Sequence, residues 1–479
     1  MIAPPMPAPP RSRALRNRPL VLGFALVALL AASGCGENSP SRVAARALEK
    51  YRKTSGAKPL PASGMIRIRL SSSGAMPPAS GLDEVLWAPH RYRETVTSAG
   101  LTTVRGLESG KAYFTDQDGV TRVASDQVLR EVTTRSYFWR RAWLFEQRER
   151  AWLNLARTDG ATVSLSLTPE GGNPLMLTFS RPDGRLLSAR SPRFQLEFPS
   201  PDSFLDLSDP LTPFRGEIAW VGLPTGPIPQ PYAGGGRARF GQTRDVAAFE
   251  RRSGALLVSA AISGRTVRLA IDGAADGPLV VSPGLASRLG LAFVPDVFGR
   301  SVAPGASLAI GGATYPSLWV QQSAAVPAGA DAVAGGCLFR EAIVEFDAEA
   351  GRVRLHDPEG WSAPEGYFRI VIDDDDDRPV AILNRGKKEV RLTAGSDAGG
   401  AALLLAAASA QRAGVSGAMT AGSFTWGLIH LPEMPIAIAQ DGFFPDWGDD
   451  GKLGFPLLLR FHAFVNMPQR WIYVRAIER

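Results

Sequence analysis

Apolar and polar residues alternate with a period of two in short runs along most of this chain. In the run MIRIRL at 65–70, Ile66, Ile68 and Leu70 fall on one face and Arg67 and Arg69 on the other, the pattern of a half-buried strand. AYF at 112–114 and VTRV at 120–123 flank Asp116-Gln117-Asp118-Gly119, a hairpin turn signal. VSLSL at 163–167 and the runs starting at Leu175 and Leu186 extend a meander through Gly171-Gly172-Asn173-Pro174 and Pro182-Asp183-Gly184. This predicts antiparallel strands from 64 to about 218. A helical period is expected in two places, a short segment at 43–53 and SYFWRRAWLFEQRERAWLNLA at 136–156. In the second, aromatics interleave with Arg140, Arg141, Arg148 and Arg150. It is expected to give one or two helices over the open face of a curved sheet, with arginine heads turned outward, rather than a membrane or nucleic-acid surface.

The Pro/Gly-rich stretch GLPTGPIPQPYAGGGRARFG at 222–241 can continue neither a helix nor a central strand. Its glycines lack the Gly-Lys-Ser/Thr of a phosphate loop. Beyond it a frame occurs twice. VRLAIDGAADGPLVVS from Val267 and VRLTAGSDAGGAALLL from Val390 each read as strand, tight turn with an acidic group, then apolar run. The first is followed by an apolar-apolar-Gly loop at Val333-Ala334-Gly335, which Lys452-Leu453-Gly454 matches in the second. Glu345-Phe346-Asp347 parallels Phe464-Val465-Asn466. Turn and loop are separated by 63 residues (272 to 335) in the first copy and 59 (395 to 454) in the second.

The order of hairpin, acidic turn, helix at 283–289, glycine loop and closing strand pair resembles the retropepsin-like fold of the aspartic proteases, most specifically over 250–358. Two such copies imply a pepsin-like pseudo-dimer. The segment GLESGKAYFTDQDGVTRV, the aromatic stretch after it and VSLSLTPEGGNPLMLTFSRPDGRLL together look like the half-barrel of bacterial lipoprotein carriers. Such half-barrels can hold an apolar ligand between sheet and helix. The expected fold is therefore mainly β: a curved antiparallel sheet covered by helix, then two tandem retropepsin-like barrel lobes. The expected divisions are a signal peptide at 1–34, a tether and short helix at 35–63, the half-barrel at 64–221, a linker at 222–250 and lobes at 251–362 and 363–479.

The resemblance implies a dyad of carboxylates within about 3 Å that share one proton, because like charges so close cannot both ionise. Each would come from an Asp-Thr/Ser-Gly turn. Here the first turn reads Asp272-Gly273-Ala274-Ala275, without the hydroxyl, and the second has Gly395-Ser396-Asp397. Asp272 is the candidate catalytic residue and Asp397 a displaced second one. Two residues along a strand keep a side chain on its face but move it about 6–7 Å, which a bulge recovers only in part. The readings that follow are a degenerate dyad on a scaffold binding extended peptides, an active endopeptidase using Asp272 with Asp397, and lipid or lipoprotein handling by the half-barrel.

The N-terminus adds a location. A basic segment with Arg11, Arg13, Arg16 and Arg18 precedes the apolar run 20–32, too short for a permanent span, and Ala32-Ser33-Gly34-Cys35 follows. This resembles the lipobox of bacterial lipoproteins and implies acylation at Cys35 and a lipid anchor in the cell envelope. Gly36 rather than aspartate favours the outer over the inner membrane. Without those four arginines the formal charge of +7 falls to 49 basic against 46 acidic residues, too little for nucleic-acid binding. The second cysteine, Cys337, leaves no disulfide framework and reads as a buried thiol. The four histidines (His90, His356, His430, His462) are dispersed in sequence, so no metal or other cofactor is expected. Asp373 to Asp377 lacks calcium-loop spacing and reads as a solvated turn before a strand. The expected partners are a peptide or protein and the membrane, with the chain monomeric.

Overall fold

The computed structural model describes residues 39–57, 60–72, 79–124, 126–144, 151–208, 213–222, 238–241, 247–252, 254–275, 279–375, 378–396, 398–416, 419–420, 424–431, 433–439 and 450–477. The leader, Cys35 and Asp397 lie outside them, as does the side chain of Cys337. Among the described residues no helix is long and apolar enough to cross a membrane.

The chain is mainly β, with a 13-stranded antiparallel sheet followed by a larger mixed one. Two meanders make the first sheet. They meet where the strand Gly64–Ser72 pairs with both Ser80–Ala88 and Phe214–Gly222. The alternation in the sequence becomes two faces: Ile66, Ile68 and Leu70 are buried and Arg67 and Arg69 exposed. Burying each such side chain contributes roughly 1.5–3 kcal/mol. Two helices cover the buried face. Helix α1 (Pro40–Ser55) begins on its proline, ends on the left-handed Gly56, and turns Ala44, Leu48 and Tyr51 inward at i, i+4, i+7. Helix α2 (Asp126–Trp139) brings Val128, Val132, Phe138 and Trp139 onto the same core.

The expected helical stretch at 136–156 is only partly helical. α2 starts upstream at Asp126, a single turn follows at Ala142–Leu144, and Ala151–Thr158 is an edge strand paired with Thr162–Pro169. The helix stops because Arg141 takes a left-handed φ of 52°. That conformation costs a non-glycine residue roughly 1–2 kcal/mol. Among the aromatics of this stretch, Trp152 stands exposed on the edge strand, so aromatic content overstated the helix.

The second sheet carries the duplication. In the first lobe Arg265–Ile271 runs parallel to Ala332–Ala334; in the second, Lys388–Ser396 runs parallel to Gly451–Gly454. The expected helix α3 (Pro283–Leu289) is present, capped by the Ser282 hydroxyl, and helix α4 (Gly336–Glu341) follows the first glycine loop. Helices α5 (Ala407–Ala413) and α6 (Phe455–Leu458) stand in the corresponding places of the second lobe. The lobes join through Ile343–Asp347 and Phe461–Asn466, antiparallel with Val344 opposite Val465. Asp373, Asp374 and Asp375 lie in a strand, Phe368–Asp375, that pairs with Arg378–Arg385, so the aspartate run begins inside the ladder.

Candidate interlobe site and half-barrel cleft

Asp272 sits where the strand Arg265–Ile271 breaks into a turn. Its N–H donates to the Ala334 carbonyl at 3.1 Å, and its Oδ1 accepts the Ala274 N–H at 2.9 Å. The neighbouring Gly273 N–H donates to the Gly395 carbonyl at 2.9 Å, so the two turns of the duplicated frame meet directly. A Cβ on Gly273 would lie 2.2 Å from the Ala394 carbonyl oxygen. The missing hydroxyl of the first turn therefore has a local cause: the lobes approach so closely that no side chain fits there. Gly335 is similarly enforced, since its Cβ would lie 2.6 Å from the Asp272 carbonyl oxygen.

Gly395 holds a left-handed φ of 70° at a bulge, where the ladder with Gly451–Gly454 skips from Ala394 to Ser396. A Cβ there would point toward Phe339, Leu458 and Phe455, at 3.6–3.9 Å. A bulge of the kind that recovers part of a displacement is thus present just before Asp397; the carboxylate itself lies outside the described residues.

A residue that sequence reasoning passed over stands against Asp272. The Lys452 Nζ lies 3.8 Å from Asp272 Oδ2, both side chains being partly open to solvent. The ladders explain its position. Ala270, two residues before Asp272, is opposite Val333; Thr393, two before Gly395, is opposite Lys452. Lys452 therefore occupies the slot that Val333 fills in the first lobe. A charge in the apolar position of a repeat was the available signal. At such a distance a pair of charges attracts by about 1 kcal/mol in water and about 4 kcal/mol at an effective dielectric of 20.

The half-barrel holds a cleft of about 820 Å³, open solvent included, between the ends of α1 and α2 and the sheet. Its wall is aromatic: Tyr51, Phe138, Trp139, Trp143 and Phe198 are all buried. Tyr51 and Trp143 pack at 5.3 Å between ring centroids, and Phe138 and Phe198 at 6.2 Å. Burial pushes the Tyr51 phenol above its ordinary range, against the opposing pull of Arg141. At the mouth the Arg141 guanidinium lies 4.4 Å over the Trp220 ring, itself 41% exposed.

Two of the dispersed histidines converge elsewhere. His356 Nε2 and His462 Nε2 lie 2.6 Å and 2.8 Å from the two oxygens of Glu345 on the joining strands. Ligand atoms of Glu345, Asp347 and His462 fall within 4.8 Å of one another. Arg354 at 3.4 Å from Glu345 and Arg352 at 2.9 Å from Asp347 already neutralise these carboxylates, so the group reads as a closed ionic network.

No family model matches the chain, and no curated protein matches it. Among solved structures it is similar to a retropepsin-like aspartic protease from Rickettsia conorii, at 13% identity over 25% of this chain and 92% of that one, TM-score 0.20. It is similar to an aspartic proteinase from Irpex lacteus, at 11% identity over 49% and 97%, TM-score 0.32. It is also similar to a LolA superfamily protein from Nitrosomonas europaea, at 10% identity over 38% and 94%, TM-score 0.25.

Proposed function

We propose that this protein is a lipid-anchored component of a bacterial cell envelope, attached through Cys35, whose paired lobes bind extended peptide without hydrolysing it. The observation that carries the reading is the opposition of Asp272 to the Lys452 ammonium at 3.8 Å and to the backbone of Gly395 at the matching position of the second turn. Aspartic-dyad chemistry needs one carboxyl protonated to donate to the scissile carbonyl and one ionised to take a proton from water. The group that stands against Asp272 is an ammonium, which cannot serve as the second, proton-sharing carboxyl. What remains is a charged, partly exposed pair between two lobes, suited to main-chain and side-chain capture of an extended segment.

A peptide library incubated with the protein at acidic and neutral pH tests this. Peptides are expected to be retained, uncut, with Asp272→Asn keeping most of the binding. Cleavage that a statine-type mimic blocks and Asp272→Asn abolishes would instead establish the endopeptidase with Asp397 as its second carboxylate.

The cleft supports a second reading: the half-barrel takes an apolar ligand among Tyr51, Phe138, Trp139, Trp143 and Phe198. Lipid co-purifying with the protein, and lost when Ile218→Trp fills the cleft, is the expected result.

A further inference from the structure

The cleft is chemically two-ended. Its wall consists of buried rings, whereas Arg141, Arg185 and the exposed edge of Trp220 line its mouth. Among the described residues that line it there is no carboxylate. Arg185 is already satisfied, its Nε 2.7 Å from Asp183 Oδ2. Arg141 is not: among the described residues it has no carboxylate within ion-pair distance, and its guanidinium lies 4.4 Å over the Trp220 ring. The acid that acts on the wall, Asp202, does so on Tyr51 and more weakly than Arg141. Arg141 also keeps a backbone conformation that glycine would adopt without strain, so the chain holds a cation here against a local cost.

We propose that the cleft selects an amphiphile with an anionic oxyacid head, a carboxylate or a phosphate, its tail among the aromatic rings and its head on the Arg141 guanidinium. This rests on the second reading above and adds the charge of the ligand. A guanidinium at the edge of an apolar cavity donates to two oxygens at once, and its partial desolvation strengthens the attraction.

The test is displacement of a fluorescent fatty acid from the full chain by three probes of equal tail length: laurate, lauroyl-lysophosphatidylglycerol and the neutral monolaurin. Laurate or the lysophospholipid is expected to bind at least tenfold more tightly than monolaurin, and whichever does so identifies the head as carboxylate or phosphate. Because Arg141 has a left-handed φ, Arg141→Gly removes the cation while suiting the backbone. It is expected to bring the preference below threefold with monolaurin affinity unchanged, and Arg141→Lys to retain part of it. Equal binding of all three probes, abolished by Ile218→Trp, would overturn the charge selection and leave the apolar cleft standing. Binding of none would overturn both.

Discussion

Gly273 is where the two lobes touch, and its surroundings leave it no alternative. Gly273→Ala places a methyl 2.2 Å from the Ala394 carbonyl oxygen, backbone that cannot swing aside. The expected loss is about 1–3 kcal/mol in urea unfolding, because the turns must separate. Gly395→Asp is the change that completes the second turn on paper. It is expected to yield no peptide turnover and a lower melting temperature. The left-handed φ of 70° costs about 1–2 kcal/mol, and the new side chain starts toward Phe339, Leu458 and Phe455 rather than toward a partner carboxylate. The departure of both turns from an Asp-Thr/Ser-Gly pattern was legible from sequence at Gly273 and Gly395. The role of Lys452 was not, because its proximity to Asp272 depends on a pairing between lobes.

The strands Ile343–Asp347 and Phe461–Asn466 show what local pattern conveys and what it omits. Their repeated frame was readable, yet Val344 meets Val465 across some 120 residues of chain, and no local signal encodes such a pairing. His462 thereby reaches Glu345, which His356 meets across the local hairpin. Burial alone would raise Glu345; hydrogen bonds from His356 and His462, with the charges of His356 and Arg354, outweigh it and hold Glu345 at about 2, against an ordinary 4.5. A folded pKa depressed in this way adds stability that is complete above the unfolded value and is lost as pH falls through the folded one. The gap between the two is worth on the order of 3 kcal/mol. Unfolding free energy is therefore expected to decline from about pH 5 to pH 2, and Glu345→Gln to flatten much of that limb. An acid limb unchanged in the variant would place the pH dependence on other carboxylates. The aromatic stretch at 136–156 teaches the complementary lesson. Its helix ends by Trp139 because the backbone turns at Arg141, and AWLNLART then follows the period of an edge strand.

At the scale of the molecule, the half-barrel is fastened to the duplicated lobes by buried charge. Arg340 on α4 reaches Asp116 and Asp118, each at 2.9 Å, with all three side chains almost fully buried. Asp118 also accepts the Trp319 N–H at 2.8 Å, and Arg122 holds Asp116 at 2.6 Å. A second contact lies nearby, where Val297 is buried in the half-barrel core and its N–H donates to Ser98 at 2.9 Å. A third reaches the other lobe, from Arg391 to Gln127 at 3.2 Å. The turn Asp116-Gln117-Asp118-Gly119 was legible as a hairpin; that its carboxylates also dock a second domain was not. Burial pushes Asp118 upward while Arg340 opposes it, so removing the arginine leaves two desolvated carboxylates with less compensation. Arg340→Met is expected to cost about 3–5 kcal/mol, the usual penalty for breaking a buried pair from one side. Since Arg340 lies between domains, that cost falls on their docking: one cooperative urea transition is expected to split into two, with faster proteolysis between residues 222 and 238. Replacing Asp118 by asparagine in the same chain removes the carboxylate left without its ion pair and is expected to recover part of the loss, whereas a general folding defect would leave the double variant no better than Arg340→Met alone.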